Sequence, residues 1–463
     1  MDFLVCILSL AFLMFVAYRG FSVILFAPIA ALGAVLLTDP AAILPVYSGL
    51  FMSKLVVFVE NYFPIFMLGA IFGKLIEISG FAQSIVASVV NIVGRKRAIL
   101  SIVIVGGLLT YGGVSLFVVV FALYPFAAEM FRACDIPKRL IPSALILGGA
   151  TFTMDCLPGT PAIQNIIPTT FFKTTAYAAP VLGMVGGIMI FASGMLYLEW
   201  RARKMKANGE GYGTNHKNEP EHFSEENLVN PWLAISPLFI VGILNFVFTK
   251  MLPAWYPAAF DVKMNAITPP IVVKLASKLA IWSVEVALAI AILFVCAVAF
   301  KTLKEKFAEG TKNAIAGSML ATMNTASEYG YGSVIAALPG FLIIRDAMSS
   351  IPNPLWNEAL TINVLAGVTG SASGGLGIAL AAMADQFVAM ANTYNIPLEV
   401  MHRVASMASG GMDALPHNGA VITFFAICGL THKEAYPDVF GLVIFKTLVS
   451  FAIILVYYAT GWV

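Results

Sequence analysis

The sequence predicts an all-α polytopic membrane protein made of two inverted-topology repeats, with broken transmembrane helices and re-entrant hairpins. Three observations lead there. The chain of 463 residues is 59% hydrophobic and 11% charged, with a mean hydropathy of +0.88; a soluble domain carries roughly twice that charge. Apolar stretches near the ~20 residues that cross a bilayer recur throughout, most clearly at 21–37, 176–196, 232–248, 281–300 and 442–458. A decapeptide, "MDCLPGTPAI" (Met154–Ile163), returns 258 residues later as "MDALPHNGAV" (Met412–Val421), each time inside an apolar segment.

Taken in order, the first half gives crossings at about 3–17, 21–37, 62–78, 139–173 and 176–198. The N-terminal stretch lacks a basic n-region and a small-residue cleavage site, so it reads as a retained first helix. Ala41–Glu60 and Phe81–Val93 read as amphipathic helices along the membrane surface. Ile99–Pro125, interrupted at "GGLLTYGG", and Asn363–Gln386, interrupted at "GVTGSASGGLG", begin and end on one side and read as re-entrant hairpins. Their tips are tolerable at depth only inside protein or against a wet cavity; the competing reading is small residues packing helix on helix. An odd number of crossings inverts the second copy, as in secondary transporters. The basic segments 94–98, 136–139, 199–227 and 301–313 then all face the cytoplasm. "DIP" (Asp135–Pro137) answers "NIP" (Asn395–Pro397) upstream of the decapeptides. The expected division is a first membrane repeat over 1–198, a flexible cytoplasmic linker over 199–230, and a second membrane repeat over 231–463.

The decapeptides break helices. Pro158, Pro161 and Pro416 lack backbone donors, and Gly159 and Gly419 give the chain freedom to turn. A helix from about Leu140 stops near Asp155 and restarts near Ala162, so the restarting half-helix aims its free N–H groups and positive end into the membrane. Two such ends and two hairpin tips around one cavity make an anion site, and the expected cargo is a small carboxylate. The expected substrate-binding residues are Gly112, Gly113, Ser115, Pro158, Gly159, Thr160, Asn165, Ser371, Ser373, Gly374, Pro416, His417 and Asn418. Gln164 is a further neutral donor for substrate hydroxyls. Asp155, Asp413 and His417 are the expected proton-coupling groups. Capping of the restarting half-helix is an equally open role for each aspartate, and a structural hydrogen bond is one for His417.

Lys74 and Glu77 stand three apart on one helix and are expected to pair; Glu285 and Glu328 have no local partner and are further proton-carrier candidates. No HExxH, paired CxxC, Walker loop or GxSxG occurs, so neither an enzyme nor an ATP-driven pump is expected, and no metal or cofactor. The five cysteines have no metal spacing and say little about redox compartment, and the net charge of +2 argues neither for nor against nucleic acid; no nucleic-acid partner is expected. The energy source is an ion gradient, protons first, with sodium open at the exposed carbonyls of the breaks. A cation/proton antiporter is the alternative within transport, and a membrane-embedded enzyme or receptor a more distant one.

"MLGAIFGKLIEISGFAQSIVAS" (Met67–Ser88), "TFTMDCLPGTPAI" and "SGGMDALPHNGAV" resemble segments of the gluconate:proton symporter family, within the larger ion-transporter superfamily, and the likeness covers nearly the whole chain. The resemblance implies a bacterial inner-membrane transporter of small hydroxy acids such as gluconate, 3-hydroxybutyrate or D-serine. It further implies an elevator-type homodimer in which a transport domain slides against a scaffold. The gluconate branch has a His- and Pro-richer first break than "DCLPGTP"; "MDALPHNG" is more similar to a branch for ketone-body hydroxy acids, which makes 3-hydroxybutyrate the first expectation.

Overall fold

A computed structural model of the chain describes residues 2–19, 21–94, 97–114, 116–214, 216–219, 228–262, 271–341, 343, 351–416 and 418–463. Ser115 and His417 therefore lie outside the described residues. The described chain is helical almost throughout. Six helices are long and apolar enough to span a bilayer: α3 (Pro40–Ile78), α9 (Pro180–Ala207), α10 (Pro231–Trp255), α11 (Leu275–Val298), α14 (Ala372–Thr393) and α17 (His432–Thr460). Between them run α1 (Asp2–Tyr18), α2 (Val23–Thr38), α4 (Phe81–Val93), α5 (Ala98–Tyr111), α6 (Leu116–Ala133), α7 (Ile141–Gly149), α8 (Ile163–Phe172), α12 (Phe307–Ala337), α13 (Pro354–Thr369), α15 (Leu398–Ser409) and α16 (Gly419–Cys428).

Local chemistry sets many of the starts. Asn230, Asn353 and Ser371 each accept a backbone N–H of the first turn of α10, α13 and α14, and Pro231 and Pro354 stand where a missing N–H costs nothing. Thr431 and Glu434 close a capping box at α17. In the interior, α5 crosses α7 at contact distance: a Cβ on Gly148 would collide with the Val103 backbone, and one on Gly106 would lie 3.2 Å from the Gly148 carbonyl carbon. Small residues here let two backbones touch, the usual cement of helices in lipid.

One sequence of elements occurs twice. A hairpin (α5–α6, then α13–α14) leads to a tight turn, a half-helix (α7, then α15), a break, a ten-residue half-helix (α8, then α16) and a long helix (α9, then α17). The turns match in detail: Asp135 at φ 51° and Asn395 at φ 53° both take the left-handed conformation. Asn and Asp tolerate that region best among residues with a Cβ.

Several expectations need correction. Ala41–Glu60 is no separate surface helix but the first part of α3, a continuous 39-residue helical run with a π turn at Tyr47–Phe51. The helix after Leu140 ends at Gly149, not near Asp155; one turn, Phe152–Asp155, forms before the restart. The mid-portion of α12, "NTASEYGYGS", is too polar to read as a span, yet it is buried against α2, α3 and α14. Residues 208–214 and 216–219 of the supposed flexible linker fold back on the helix ends. Arg139 bonds Glu210 at 2.6 and 2.9 Å, the Asp135 carboxylate accepts the Tyr212 N–H at 3.0 Å, and Tyr124 donates to the Asn218 carbonyl at 2.6 Å. A two-stranded antiparallel ribbon, β1 (Ala259–Val262) with β2 (Ile271–Lys274), interrupts the all-helical pattern.

Candidate functional site

The first break is a knot of satisfied backbone. Gly159 takes φ +80°, and a side chain there would strike the Tyr177 ring. Its N–H donates to the Ala176 carbonyl at 2.8 Å and its carbonyl accepts from Asn245 at 3.1 Å. Tyr111, at the tip of the α5–α6 hairpin, donates to the Pro158 carbonyl at 2.9 Å. Asn165 donates to the Thr160 and Ala176 carbonyls, both at 2.9 Å. The restarting helix α8 has Ala162 at its N-cap and no side-chain cap among the described residues, so its leading amides stay available.

The second break repeats the plan with a different device. Asn418 caps α16 by accepting the Val421 N–H at 2.8 Å. Its amide nitrogen donates to the Gly370 carbonyl at 2.8 Å and the Asp413 carbonyl at 3.0 Å. One residue thus ties the α13–α14 tip, the break and the half-helix together. Neither aspartate serves as cap: α8 is uncapped and Asn418 holds α16, which corrects the capping reading for both.

The aspartates do have a cationic neighbour, contrary to expectation. Lys446, buried in the middle of α17, sits 3.4 Å from Asp155 Oδ2 and 3.3 Å from Asp413 Oδ1, and it also donates to the Ala150 carbonyl at 3.2 Å. The side chains of Lys446, Asp155 and Asp413 are 4%, 2% and 14% exposed, so Asp413 is the member open to the cavity. The Cys156 thiol donates to Asp155 at 3.0 Å, and Ser406 Oγ to the Asp155 carbonyl at 2.9 Å. With all three ionised the cluster carries one surplus negative charge; one proton or one monovalent cation neutralises it.

A second buried anchor lies alongside. Arg403 on α15 donates to the Ala178 carbonyl at 3.1 and 2.8 Å and to Asn165 Oδ1 at 3.0 Å. His402 shares Asn165 Oδ1 at 3.3 Å and bonds Thr174 at 2.6 Å. The half-helix of the second copy is thereby fastened to the break of the first.

A cavity of about 1200 Å³ opens between the two breaks, the two hairpin tips and α12. Among the residues expected from sequence, Gly113, Asp155, Ser371, Ser373, Asp413 and Asn418 line it, with Gln164 and Glu328. Pro158, Gly159, Thr160, Asn165 and Pro416 stand behind the lining: Thr160 and Asn165 are fully buried, and the Pro416 carbonyl accepts from His432 at 2.9 Å. Gly112 packs on Leu238 and Gly374 on the Glu328 carboxylate. Lys74 and Glu77 also reach the cavity and pair at 2.7 Å, as their spacing predicts. Lys446, Arg403 and His402 escaped the sequence reading. Lys446 had a visible signal, a lone lysine amid the apolar "LVIFKTLVSF"; Arg403 and His402 follow the "NIP" turn, and their partners lie more than 200 residues away in sequence.

The GntP family permease model matches residues 62–320. An uncharacterized transporter of Bacillus subtilis (strain 168), YxjC, is 53% identical over 472 residues, covering all of both chains. Two solved structures align more loosely. The YdaH transporter of Alcanivorax borkumensis has a TM-score of 0.48 at 14% identity, covering 89% of this chain and 88% of that one. MtrF of Neisseria gonorrhoeae has a TM-score of 0.46 at 13% identity, covering 86% and 83%; superpositions this loose transfer nothing to the present chain. With more than half its length matched and a full-length relative above 50% identity, the chain is a multi-pass membrane transporter, not an enzyme, and belongs to the GntP permease family.

Proposed function

We propose that this permease is a secondary active symporter that carries a small hydroxycarboxylate anion together with a proton. The observation that carries the reading is Lys446 bridging one aspartate from each break beside a cavity large enough for an organic acid. The cluster's surplus negative charge repels an anion until one proton is bound. Once neutral, it leaves the uncapped end of α8 and the α13–α14 tip as the positive features of the wall, and the substrate carboxylate settles there. Ser371, Ser373, Gln164 and Asn418 supply neutral partners for hydroxyl groups. A short acid such as 3-hydroxybutyrate is the first choice, on the resemblance of the second break to the hydroxybutyrate branch; gluconate is the next.

The repeated order of elements supports two inverted repeats, 1–198 and 231–463, joined through a cytoplasmic linker at 199–230, and the family resemblance supports a homodimer. Uptake of labelled 3-hydroxybutyrate into proteoliposomes under an inward pH gradient tests the function. Accumulation abolished by a protonophore is expected; no uptake of this acid or of gluconate, or uptake indifferent to the protonophore, rejects it. A cation/proton antiporter is the second reading, favoured by the four carboxylates on the cavity wall, Glu77, Asp155, Glu328 and Asp413. It predicts that salt alone, with no organic acid, changes the pH inside vesicles.

A further inference from the structure

The carboxylates of the cavity are not alike. Asp155 and Asp413 share Lys446, whereas Glu328, on the α12 wall, has no ionic partner among the described residues. Glu328 is 5% exposed, and its Oε2 has no hydrogen-bond partner among the described residues. Its carboxyl lies against Gly374, where a Cβ would collide with Oε2, in the first turn of α14. A negative charge in such a place, without a counter-ion among the described residues and with one oxygen lacking a donor, is costly to bury. A proton removes that cost and needs no further ligands, whereas a sodium ion needs a shell of several oxygens.

Among the described residues, the surrounding elements offer no free cationic side chain to hold the charge, only the partial positive end of α14. On α3, Lys74 pairs with Glu77 at 2.7 Å, and the Tyr62 hydroxyl is engaged by Thr170 at 2.7 Å. On α2 there is no ionisable side chain, and the titratable residue of α14, Asp385, lies eleven residues along the helix from Gly374, about 16 Å at 1.5 Å per residue. On α12 itself, Thr325 shares its hydroxyl with Ser373 at 3.4 Å, leaving the tip and Glu328 side by side.

We infer that Glu328 is a proton-binding site of the transport cycle, separate from the Asp155–Lys446–Asp413 cluster and placed where α12 meets the α13–α14 tip. It rests on the symport reading for its role in transport, but the site itself is testable without a substrate. The neutral acid donates a hydrogen bond into the cavity or to the tip. Loss of its proton puts a carboxylate where the substrate anion must enter, so release of the proton and release of the anion are linked.

Labelling of the wild-type protein with a hydrophobic carbodiimide, which attacks protonated carboxyls in apolar surroundings, followed by peptide mass spectrometry, tests the site. Label on Glu328 at pH 6 that fades toward pH 9 is expected, whether or not Asp155 or Asp413 is labelled as well. Absence of label on Glu328 across that range, or protection by sodium at constant pH, overturns the proposal. In proteoliposomes, E328Q is expected to lower proton-driven accumulation at least ten-fold and to flatten the pH dependence of substrate exchange, with E328D restoring part of the slope. An E328Q protein that keeps the wild-type pH profile also overturns it. If wild-type vesicles move no hydroxy acid while the labelling pattern holds, the symport reading fails and the proton site stands.

Discussion

The two breaks use the same residues in the chain, Met-Asp-x-Leu-Pro, and reach opposite electrostatic and packing solutions. The first is locked: Asp155, Thr160 and Asn165 are buried, the loop carbonyls are bonded from Tyr111, Asn165 and Asn245, and Arg403 pins it from the other half of the chain. The second is more open: Asp413 keeps 14% of its side chain exposed, and Asn418 serves as both cap and tie, with His432 on the Pro416 carbonyl. The locked break ends in a half-helix without a cap, and the open break in a capped one. A site that must hold still and also release its cargo gains from that asymmetry, since one wall supplies a rigid positive end and the other supplies water access.

The comparison can be broken hardest at Lys446. K446M leaves Asp155 buried and unpaired, and a loss of about 3–5 kcal/mol is expected, seen as a large fall in melting temperature in detergent; K446M with D155N should recover most of it. Arg403 tests whether the lock depends on the other half. R403M removes three hydrogen bonds from a charged donor, and about 3 kcal/mol is expected from bonds of this kind, again by thermal unfolding. The aspartates themselves should differ: D155N is expected to destabilise by about 1–3 kcal/mol as a buried partner is lost, while D413N, closer to water, should change melting less and abolish proton-driven uptake more completely. N418A removes a cap and two ties, for about 1–2 kcal/mol, and should raise the substrate KM because the hairpin tip loses its anchor. Smallest, A162S adds the missing cap to α8. A gain of about 0.5–1 kcal/mol is expected, with weaker substrate binding as the cap competes for the amides that receive the carboxylate.

Much of the frame was legible in the residues. Pro and Gly within apolar segments marked both breaks because neither can continue a helix without cost, and the Gly/Ser interruptions marked both hairpin tips. The spacing of Lys74 and Glu77 was enough to give their pairing. Side-chain partners distant in sequence were not legible: Lys446 lies 291 residues from Asp155, and nothing local in "LVIFKTLVSF" says which acid it meets. Helix α12 was missed for a related reason. Its polar middle makes sense only once α2, α3 and α14 surround it, and hydropathy along a single segment cannot register neighbours. The reach of the linker was hidden likewise, since Glu210 and Tyr212 look solvated until Arg139 and Asp135 are seen beneath them.

The length of α3 has its own consequence for the surrounding lipid. Thirty-nine residues at 1.5 Å each make a rod about 58 Å long, nearly twice the ~30 Å hydrocarbon thickness. Such a rod leans steeply or bends, and the π turn at Tyr47–Phe51 gives it a place to do so. A span longer than the membrane is accommodated by tilt, by a kink or by local thickening of the bilayer, so reconstitution in lipids of longer acyl chains is expected to relieve the mismatch on that flank.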